Sequence, residues 1–173
     1  MTISKIKVAI GMSGGVDSSV AAYLLTESGY EVKGIFMKNW EEDDSDECSS
    51  KEDYEDARRV CKHLGIKLNL VNFSDKYWTN VFETFINELK KGFTPNPDVF
   101  CNKEIKFKQY YDYAMSLNFD LIATGHYARK ENISSPELHI PKDIIKDQTY
   151  FLYMMKQDAV SYTHLRAHET LVH

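Results

Sequence analysis

The fold is decided by one short stretch, Lys7-Val8-Ala9-Ile10-Gly11-Met12-Ser13-Gly14-Gly15-Val16-Asp17-Ser18-Ser19. Its first four residues have the apolar character of a short buried strand. The apolar residues after the glycines recur at helical spacing, at Val20, Ala21, Leu24 and Leu25. We therefore predict a strand, a glycine-rich turn and a helix in direct succession.

The rest of the chain continues this alternation. Strand patterns cover residues 32–37, 67–71 and 120–124, and helical patterns cover 54–64, 77–90 and 103–117. Alternating strands and helices form crossover units whose strands run parallel. The sequence therefore predicts an α/β fold: a parallel sheet with helices on both faces.

Length and composition narrow the class of protein. The chain has 173 residues, 43% hydrophobic and 27% charged, which is typical of one globular domain. No apolar run approaches the roughly 20 residues of a membrane helix, and the first residues lack the pattern of a secretory signal. The three cysteines, Cys48, Cys61 and Cys101, are odd in number and widely spaced. We expect a reduced, cytoplasmic protein without membrane contact.

Charge is distributed unevenly along the chain. The formal net charge is −5, but residues 41–56 hold ten carboxylates against the single Lys51. We interpret the acidic run 41–47 as a solvated loop rather than a cation site. Residues 90–108 hold five lysines against Asp98 and Glu104. The overall negative charge therefore does not exclude a phosphate-rich partner.

The glycine-rich turn has the features of an anion site. In a parallel sheet it lies at the carboxyl ends of the strands, where ligands bind. Gly14 and Gly15 let backbone N–H groups converge, and the following helix adds partial positive charge. The turn lacks the Gly-Lys-Ser/Thr ending of a Walker loop, and its glycines are not spaced as in G-x-G-x-x-G. Pyrophosphate would suit it, although an ordinary strand–helix turn is the alternative.

A second segment carries a potential nucleophile. In Thr94-Pro95-Asn96-Pro97-Asp98-Val99-Phe100-Cys101, the prolines predict a rigid loop that delivers Cys101 to the start of a helix. The helix dipole, Lys103 and Lys106 would favour the thiolate there. Asp98 would oppose this or accept a proton. The alternative is a buried cysteine that acts as a small hydrophobic residue.

With these residues in view, the chain resembles the pyrophosphatase-loop enzymes, which cleave ATP between its α and β phosphates to adenylylate a substrate. Within them it closely resembles the tRNA-specific 2-thiouridylase family. The further motifs that carry this resemblance are Phe36-Met37-Lys38-Asn39-Trp40, Asn96-Pro97-Asp98 with Cys101, Ala123-Thr124-Gly125-His126-Tyr127 and Lys146-Asp147-Gln148-Thr149-Tyr150-Phe151-Leu152.

The resemblance implies a Rossmann-like, adenine nucleotide alpha hydrolase-like domain. It also implies that ATP with Mg²⁺ drives sulfur insertion at position 2 of the wobble uridine (position 34) of tRNA, and that a second protein supplies the sulfur as a persulfide. Contacts to ATP would come from Gly11, Met12, Ser13, Gly14, Gly15, Val16, Asp17, Ser18, Met37 and Gly125, with Asp17 near the magnesium. Asn96, Pro97 and Asp98 would meet the target base, and His126, Lys146, Asp147 and Gln148 would meet the tRNA. Cys101 would be the nucleophile, and Asp98 would also be catalytic.

The chain departs from that family in two ways. Relatives have a second cysteine downstream of Lys146-Asp147-Gln148, which carries the persulfide and pairs with the first, and they have C-terminal domains that grip tRNA. No cysteine follows Gln148 here. Our hypothesis is that neither Cys48, in an acidic loop, nor Cys61, on the apolar stripe of a helix, replaces it. We therefore expect residues 1–157 to be the nucleotide-binding domain of a longer enzyme, unable to complete the reaction alone.

Residues 158–173 resemble a non-native tail. His164 and His168 in it are four residues apart, a metal-binding spacing, but no third ligand is fixed, so we predict no metal site. Two other functions stay open. The chain could belong to another adenylylating synthetase, such as a lysidine- or argininosuccinate-forming one, or it could be a nucleotide-binding module without catalysis.

Overall fold

The computed structural model describes residues 5–40, 49–132 and 134–165. The acidic run 41–47, Cys48 and His168 lie outside the described residues. The strands are β1 (Lys7–Met12), β2 (Glu31–Lys38), β3 (Leu68–Asn72), β4 (Leu121–Thr124), β5 (Arg129–Asn132), β6 (Pro136–His139) and β7 (Thr163–Leu165). The α-helices are α1 (Val16–Glu27), α2 (Ser49–Leu64), α3 (Ser74–Tyr77), α4 (Glu83–Lys90), α5 (Pro97–Cys101), α6 (Tyr110–Ser116) and α7 (Gln157–Tyr162).

Five of the described strands form one parallel sheet in the order β3-β2-β1-β4-β7. The predicted strands are its first four, with β1 between β2 and β4. In the register of the sheet, Val8 lies opposite Val32 on one side and Leu121 on the other. The apolar strand that opens the chain is therefore the centre of the sheet, and the turn after it lies at the sheet's carboxyl edge.

Alternate residues of β1 face two separate cores, as a strand's period of two requires. Val8, Ile10 and Met12 pack with α1 and α2 on one face. Ala9 packs on the opposite face with the helical segment that contains Ile105, Tyr110 and Ala114. The prediction of helices on both faces of a parallel sheet is confirmed.

Two long helices on the second face contain π-helical turns. Trp78–Phe82 is a π-helical turn between α3 and α4, and Asn102–Gln109 is a longer one between α5 and α6. The buried hydroxyl of Tyr110 donates to the carbonyl oxygen of Ala9 at 2.7 Å and ties this second helix to β1. The helix therefore fixes one wall of the space above the sheet edge.

The predicted start of this helix, near residue 103, is wrong. The helix begins at Pro97, and Asn96 is its N-cap, with Oδ1 accepting from the backbone N–H of Asp98 at 2.9 Å. Proline is favoured in a first helical turn because its missing N–H would have no partner there. What the sequence indicated as a rigid loop before the helix is therefore partly its first turn.

The chain after β4 contains elements that the sequence analysis did not predict. β5 and β6 form an antiparallel hairpin, two 3₁₀ turns cover Ile144–Lys146 and Thr149–Leu152, and β7 pairs with β4. The expectation that 158–173 is a foreign tail, with a domain boundary after residue 157, stays a prediction. None of the described helices is both long and apolar enough to cross a membrane.

Candidate functional site

A cavity of about 400 Å³ opens at the carboxyl edge of the sheet, above β1 and β4. It is lined by the glycine-rich turn, by the helix that starts at Pro97 and by the segments after β4. The lining residues are Gly11, Met12, Ser13, Asp17, Ser18, Met37, Asp98, Asn102, Lys106, Thr124, Gly125, His126, Gln148 and Phe151. Residues from every motif singled out in the sequence meet in this one space.

The glycine-rich turn is held in shape by its own hydroxyl groups. Ser18 Oγ donates to the carbonyl oxygen of Gly15 at 3.0 Å and accepts from the backbone N–H of Ser13 at 3.2 Å. Gly14 has φ +81°, in the left-handed region, and a side-chain carbon there would run into the backbone of Asp53 in α2. Position 14 therefore requires a glycine for two reasons: its φ lies in the left-handed region, and α2 leaves no room for a side chain. Neither reason applies to Gly15.

The amino end of α1 fits a phosphate group. Gly15 is its N-cap and has no side chain to satisfy the first N–H groups of the helix, which have no partners within it. Gly125 lies opposite: a side-chain carbon there would come within 2.8 Å of the backbone nitrogen of Ser18 and 2.9 Å of the carbonyl carbon of Asp17. Residue 125 must therefore be a glycine for its backbone to approach the start of α1 this closely. The free N–H groups of that first turn suit an anion.

Of the predicted ATP residues, Gly14, Gly15 and Val16 do not line the cavity. Gly14 and Gly15 shape the turn through their backbone, whereas the side chain of Val16 is 74% exposed. The others line it: Gly11, Met12, Ser13, Asp17, Ser18, Met37 and Gly125. The predicted set thus divides into residues that line the cavity and residues that support the turn, and their contact with ATP stays a prediction.

The helix that starts at Pro97 presents three polar side chains to the cavity. Asp98, Asn102 and Lys106 are spaced four residues apart and all line it. Asn102 is only 3% exposed; its Nδ2 donates to the carbonyl oxygen of Phe151 at 3.0 Å. Asp98 was predicted as a site residue from the sequence, whereas Asn102 was not, and Lys106 was predicted only to influence Cys101. The four-residue spacing was the signal that could have revealed them.

Cys101 does not line the cavity, because it lies on another side of the same helix. It is 9% exposed and belongs to the core cluster that contains Phe73, Val81 and Ile105. Burial raises the pKa of the Cys101 thiol and Asp98 adds to this, while the nearby Lys106 ammonium opposes it.

The expected stabilisation of the Cys101 thiolate is therefore wrong. The helix begins at Pro97, so Cys101 lies beyond the first turn, where the effect of the dipole has faded. Desolvation outweighs the single lysine that lowers the pKa. Cys61 is also a buried free thiol whose pKa is raised by burial, on the inner face of α2, as its position in the apolar stripe predicted.

His126 is an uncharged hydrogen-bonding group in the cavity wall. Its Nδ1 lies 2.8 Å from Thr124 Oγ1. Burial and the positive charge of Lys106 lower the pKa of His126 to about 3. The imidazole is therefore neutral at physiological pH, so it acts as a hydrogen-bonding group and not as a positive charge.

The motif Lys146-Asp147-Gln148 lies against Tyr127. Gln148 lines the cavity and is paired with the Tyr127 backbone in both directions: its Oε1 accepts from the Tyr127 N–H at 3.1 Å, and its N–H donates to the Tyr127 carbonyl at 3.0 Å. Lys146 Nζ lies 3.4 Å from Tyr127 Oη. Asp147 Oδ1 accepts from the backbone N–H of Thr149 at 2.9 Å. Asn96, Pro97, Lys146 and Asp147 lie outside the cavity lining.

Tyr127 itself was missed as a site residue. It is 3% exposed, and its hydroxyl donates to Asp17 Oδ1 at 3.0 Å. Burial and the bond to Asp17 raise the pKa of Tyr127, so the phenol keeps its proton at neutral pH.

Among the residues with a described structure, no group of three His, Cys, Asp or Glu side chains is placed to hold a metal.

Comparison with known proteins identifies the family. The model of the tRNA methyl transferase HUP domain matches residues 6–171. A tRNA-specific 2-thiouridylase MnmA from Tolumonas auensis is 57% identical over 161 residues, 91% of this chain and 44% of the relative, and one from Pseudomonas putida strain W619 is 58% identical over 152 residues, 87% of this chain and 41% of the relative. Among solved structures, the U34-tRNA thiolase NcsA from Methanococcus maripaludis, with its [4Fe-4S] cluster, has a TM-score of 0.49 and 31% identity over 70% of this chain and 38% of that one.

The chain spans less than half the length of these thiouridylase relatives. Their identity of 57–58% extends over nearly all of this chain, as the resemblance in the sequence motifs predicted. The family match likewise covers both the glycine-rich turn and the segment around Cys101. The chain therefore belongs to the tRNA methyl transferase HUP domain family.

Proposed function

We propose that this chain forms the ATP-binding part of an enzyme that replaces the C2 oxygen of the wobble uridine (position 34) of tRNA with sulfur. One observation carries the proposal. The anion-binding turn, Asp98 and Gln148 line a single cavity, and Cys101 lies in the same helix as Asp98, less than one turn away. This arrangement supports a nucleotide site near the proposed sulfur-handling cysteine, although the Cys101 thiol itself lies outside the cavity lining.

The residues of the turn fit the triphosphate of ATP. The N–H groups at the start of α1 would take the phosphates, and Gly11, Met37 and Gly125 line the same cavity. Asp17 is the carboxylate of the turn. Mg²⁺ is commonly held by one or two carboxylates together with substrate phosphates, so Asp17 suits it without a protein cluster. The metal would supply neutralisation of phosphate charge.

The chemistry needs ATP because a carbonyl oxygen is a poor leaving group. In the proposed reaction the C2 oxygen attacks the α-phosphorus, pyrophosphate leaves and the N3 proton is lost. The outer sulfur of a cysteine persulfide then attacks C2 and expels AMP. A second thiol breaks the sulfur–sulfur bond, leaving sulfur on the base and a disulfide on the enzyme. We assign Cys101 to this second thiol, the nucleophile that breaks the sulfur–sulfur bond, and Asp98 to proton transfer beside it.

Two partners belong to this proposal. The tRNA would be contacted by Asn96 and Pro97, by His126 and by Lys146-Asp147-Gln148, with the target base flipped out of its stack to reach the cavity. A persulfide-carrying protein would supply the sulfur. The described cysteines, Cys61 and Cys101, are free thiols, which supports a reducing, cytoplasmic setting.

Nucleotide analogues test the reaction type. Calorimetry should show ATP and α,β-methylene ATP binding to the chain alike, because the loop holds both. With tRNA that carries uridine 34, ATP and β,γ-methylene ATP should transfer AMP to the tRNA and release pyrophosphate or its methylene analogue, and α,β-methylene ATP should not. Formation of ADP, or pyrophosphate release that does not depend on the tRNA, would refute the proposal. Binding of ATP without transfer of AMP to the tRNA would favour a nucleotide-binding module.

Replacement of the nucleophile separates thiolation from other adenylylation reactions. Cys101→Ser should abolish 2-thiouridine formation, measured by mass spectrometry of digested tRNA, in a protein that carries the complete set of thiols. Release of pyrophosphate and adenylylation of the tRNA should persist, because they precede sulfur transfer. Full 2-thiouridine formation by the variant would contradict the role of Cys101. Cys61→Ser is the matched control and should leave thiolation intact.

A further inference from the structure

Tyr127 connects two parts of the site that the proposed function treats separately. Its hydroxyl donates to Asp17 Oδ1 at 3.0 Å, and the ammonium of Lys146 donates to the same hydroxyl at 3.4 Å and lies 5.0 Å from the centre of the ring. Lys146, Tyr127 and Asp17 therefore form a chain of hydrogen bonds. One end is the carboxylate of the nucleotide loop, and the other belongs to the segment assigned to tRNA.

The backbone of Tyr127 is held as firmly as its hydroxyl. Gln148 is bonded to the Tyr127 N–H at 3.1 Å and to its carbonyl at 3.0 Å. Tyr127 is 3% exposed and is not part of the cavity lining. A buried tyrosine outside the cavity, fixed at both ends, does not itself contact a ligand. It can only set the position of what it holds, which is the Asp17 side chain.

We propose that Tyr127 is a positioning residue that orients Asp17 toward the magnesium of bound Mg·ATP and transmits to it the state of Lys146. The inference rests on the proposed function. A carboxylate that binds a metal is commonly oriented through its other oxygen by a hydrogen-bond donor, and loss of that donor weakens metal binding about 10- to 100-fold. Tyr127 is placed to be this donor.

The link to Lys146 follows from cooperativity within the chain of hydrogen bonds. A cation that donates to the phenol oxygen polarises its O–H bond and strengthens the donation to Asp17. The Lys146 ammonium lies 3.4 Å from Tyr127 Oη, so an RNA phosphate that draws the ammonium farther away removes this donation. Loss of the Lys146–Tyr127 hydrogen bond therefore weakens the bond that orients Asp17. Binding of RNA to Lys146 would in this way change the affinity for magnesium at Asp17.

The test is the magnesium dependence of ATP binding, measured by calorimetry on the 173-residue chain. Tyr127→Phe should weaken binding of Mg·ATP about tenfold. It should leave binding of ATP in EDTA unchanged, because Asp17 acts only through the metal. Tyr153→Phe, which removes the hydroxyl of a tyrosine that is 65% exposed, is the matched control and should bind as the parent protein does.

Two further variants separate positioning from a general loss of structure. Lys146→Met should weaken Mg·ATP binding about two- to threefold in the parent protein and have no effect in Tyr127→Phe, because its influence runs through the phenol. In Asp17→Asn, Tyr127→Phe should add nothing. The inference would be overturned if Tyr127→Phe weakened the binding of Mg·ATP and of metal-free ATP equally. It would also be overturned if the effect of Tyr127→Phe on Mg·ATP binding added to that of Lys146→Met or Asp17→Asn. Absence of ATP binding to the parent chain would instead overturn the proposed function.

Discussion

The side chain of Asn102 donates from Nδ2 to the carbonyl oxygen of Phe151 at 3.0 Å, across 49 positions of the chain. Only the amide nitrogen can donate to a carbonyl, so the amide's orientation is fixed, and Oδ1 is left buried without a partner among the described residues. The bond joins the two sides of the cavity, because both residues line it. It therefore determines how far the Phe151 segment stands from the helix that contains Asp98.

Replacement of this amide should open the cavity wall. Asn102→Asp keeps the shape but sets a carboxylate oxygen against the Phe151 carbonyl in a buried position. We expect the free energy of unfolding at neutral pH to fall by about 2–4 kcal/mol, because a buried bond is lost and two acceptors face each other. Urea denaturation measures this.

The control for Asn102 is Asn87→Asp, at an exposed position of α4, which introduces the same charge without burial. It should change the free energy of unfolding by less than about 0.5 kcal/mol. If both substitutions cost the same, the amide of Asn102 does not hold the wall.

Gly125→Ala tests whether the close packing of residue 125 against the start of α1 shapes the phosphate site. The added carbon would lie 2.8 Å from the Ser18 nitrogen, so either α1 or the segment after β4 must move. We expect ATP affinity to fall about 5- to 150-fold, the equivalent of the roughly 1–3 kcal/mol that overpacking of this kind costs. Gly15→Ala, whose carbon would meet only Ser13 Oγ at 3.4 Å, should affect ATP affinity less. The reverse order would place the phosphates elsewhere.

Several features of the fold could be predicted from the sequence because they depend on local patterns. The apolar run from Val8 and the glycines after it were sufficient for β1, the turn and α1. The hairpin of β5 and β6 was missed because Arg129-Lys130-Glu131-Asn132 has no alternating apolar residues, and few of its side chains enter a core. The helix start at Pro97 was missed because a proline flanked by polar residues favours a loop as readily as a first helical turn.

In the candidate site too, only the features that depend on local sequence patterns could be predicted. The residues of each motif could be identified one segment at a time. The Asp17–Tyr127 hydrogen bond joins positions 110 residues apart, and no local pattern encodes such a contact. The direction of the pKa shift at Cys101 could not be predicted from the sequence either. Nearby lysines in the sequence suggested a thiolate, but in the folded chain desolvation raises the pKa of the thiol.

The order of thiol reactivities tests the environment of Cys101. Asp98 raises the thiol's pKa and Lys106 lowers it, so Asp98→Asn should lower the pKa and Lys106→Met should raise it. Alkylation by iodoacetamide at pH 8 follows the thiolate fraction. The rate at Cys101, measured by mass spectrometry of its peptide, should therefore increase in Asp98→Asn and decrease in Lys106→Met. The rate at Cys61 is the internal control and should stay constant.

His126 makes stability depend on pH in a predictable direction. Its pKa is lowered to about 3 in the folded chain, below the ordinary value of about 6.5 that we assume for the unfolded chain. The unfolded state therefore takes up a proton first as pH falls, and stability contributed by neutral His126 is lost between about pH 6.5 and pH 3. His126→Asn, which keeps a nitrogen near Thr124 but cannot titrate, should lose less stability over that range.

Urea denaturation at pH 7 and at pH 5 measures this difference, with Lys106→Met as a second probe. Lys106 is one of the two causes of the lowered pKa, so its removal should raise the pKa of His126 and move the onset of ring titration, followed by NMR, to higher pH. The parent ring should show no titration between pH 8 and pH 5. A full titration near pH 6.5 in the parent would mean that His126 is solvated and that burial in the cavity wall does not govern its pKa.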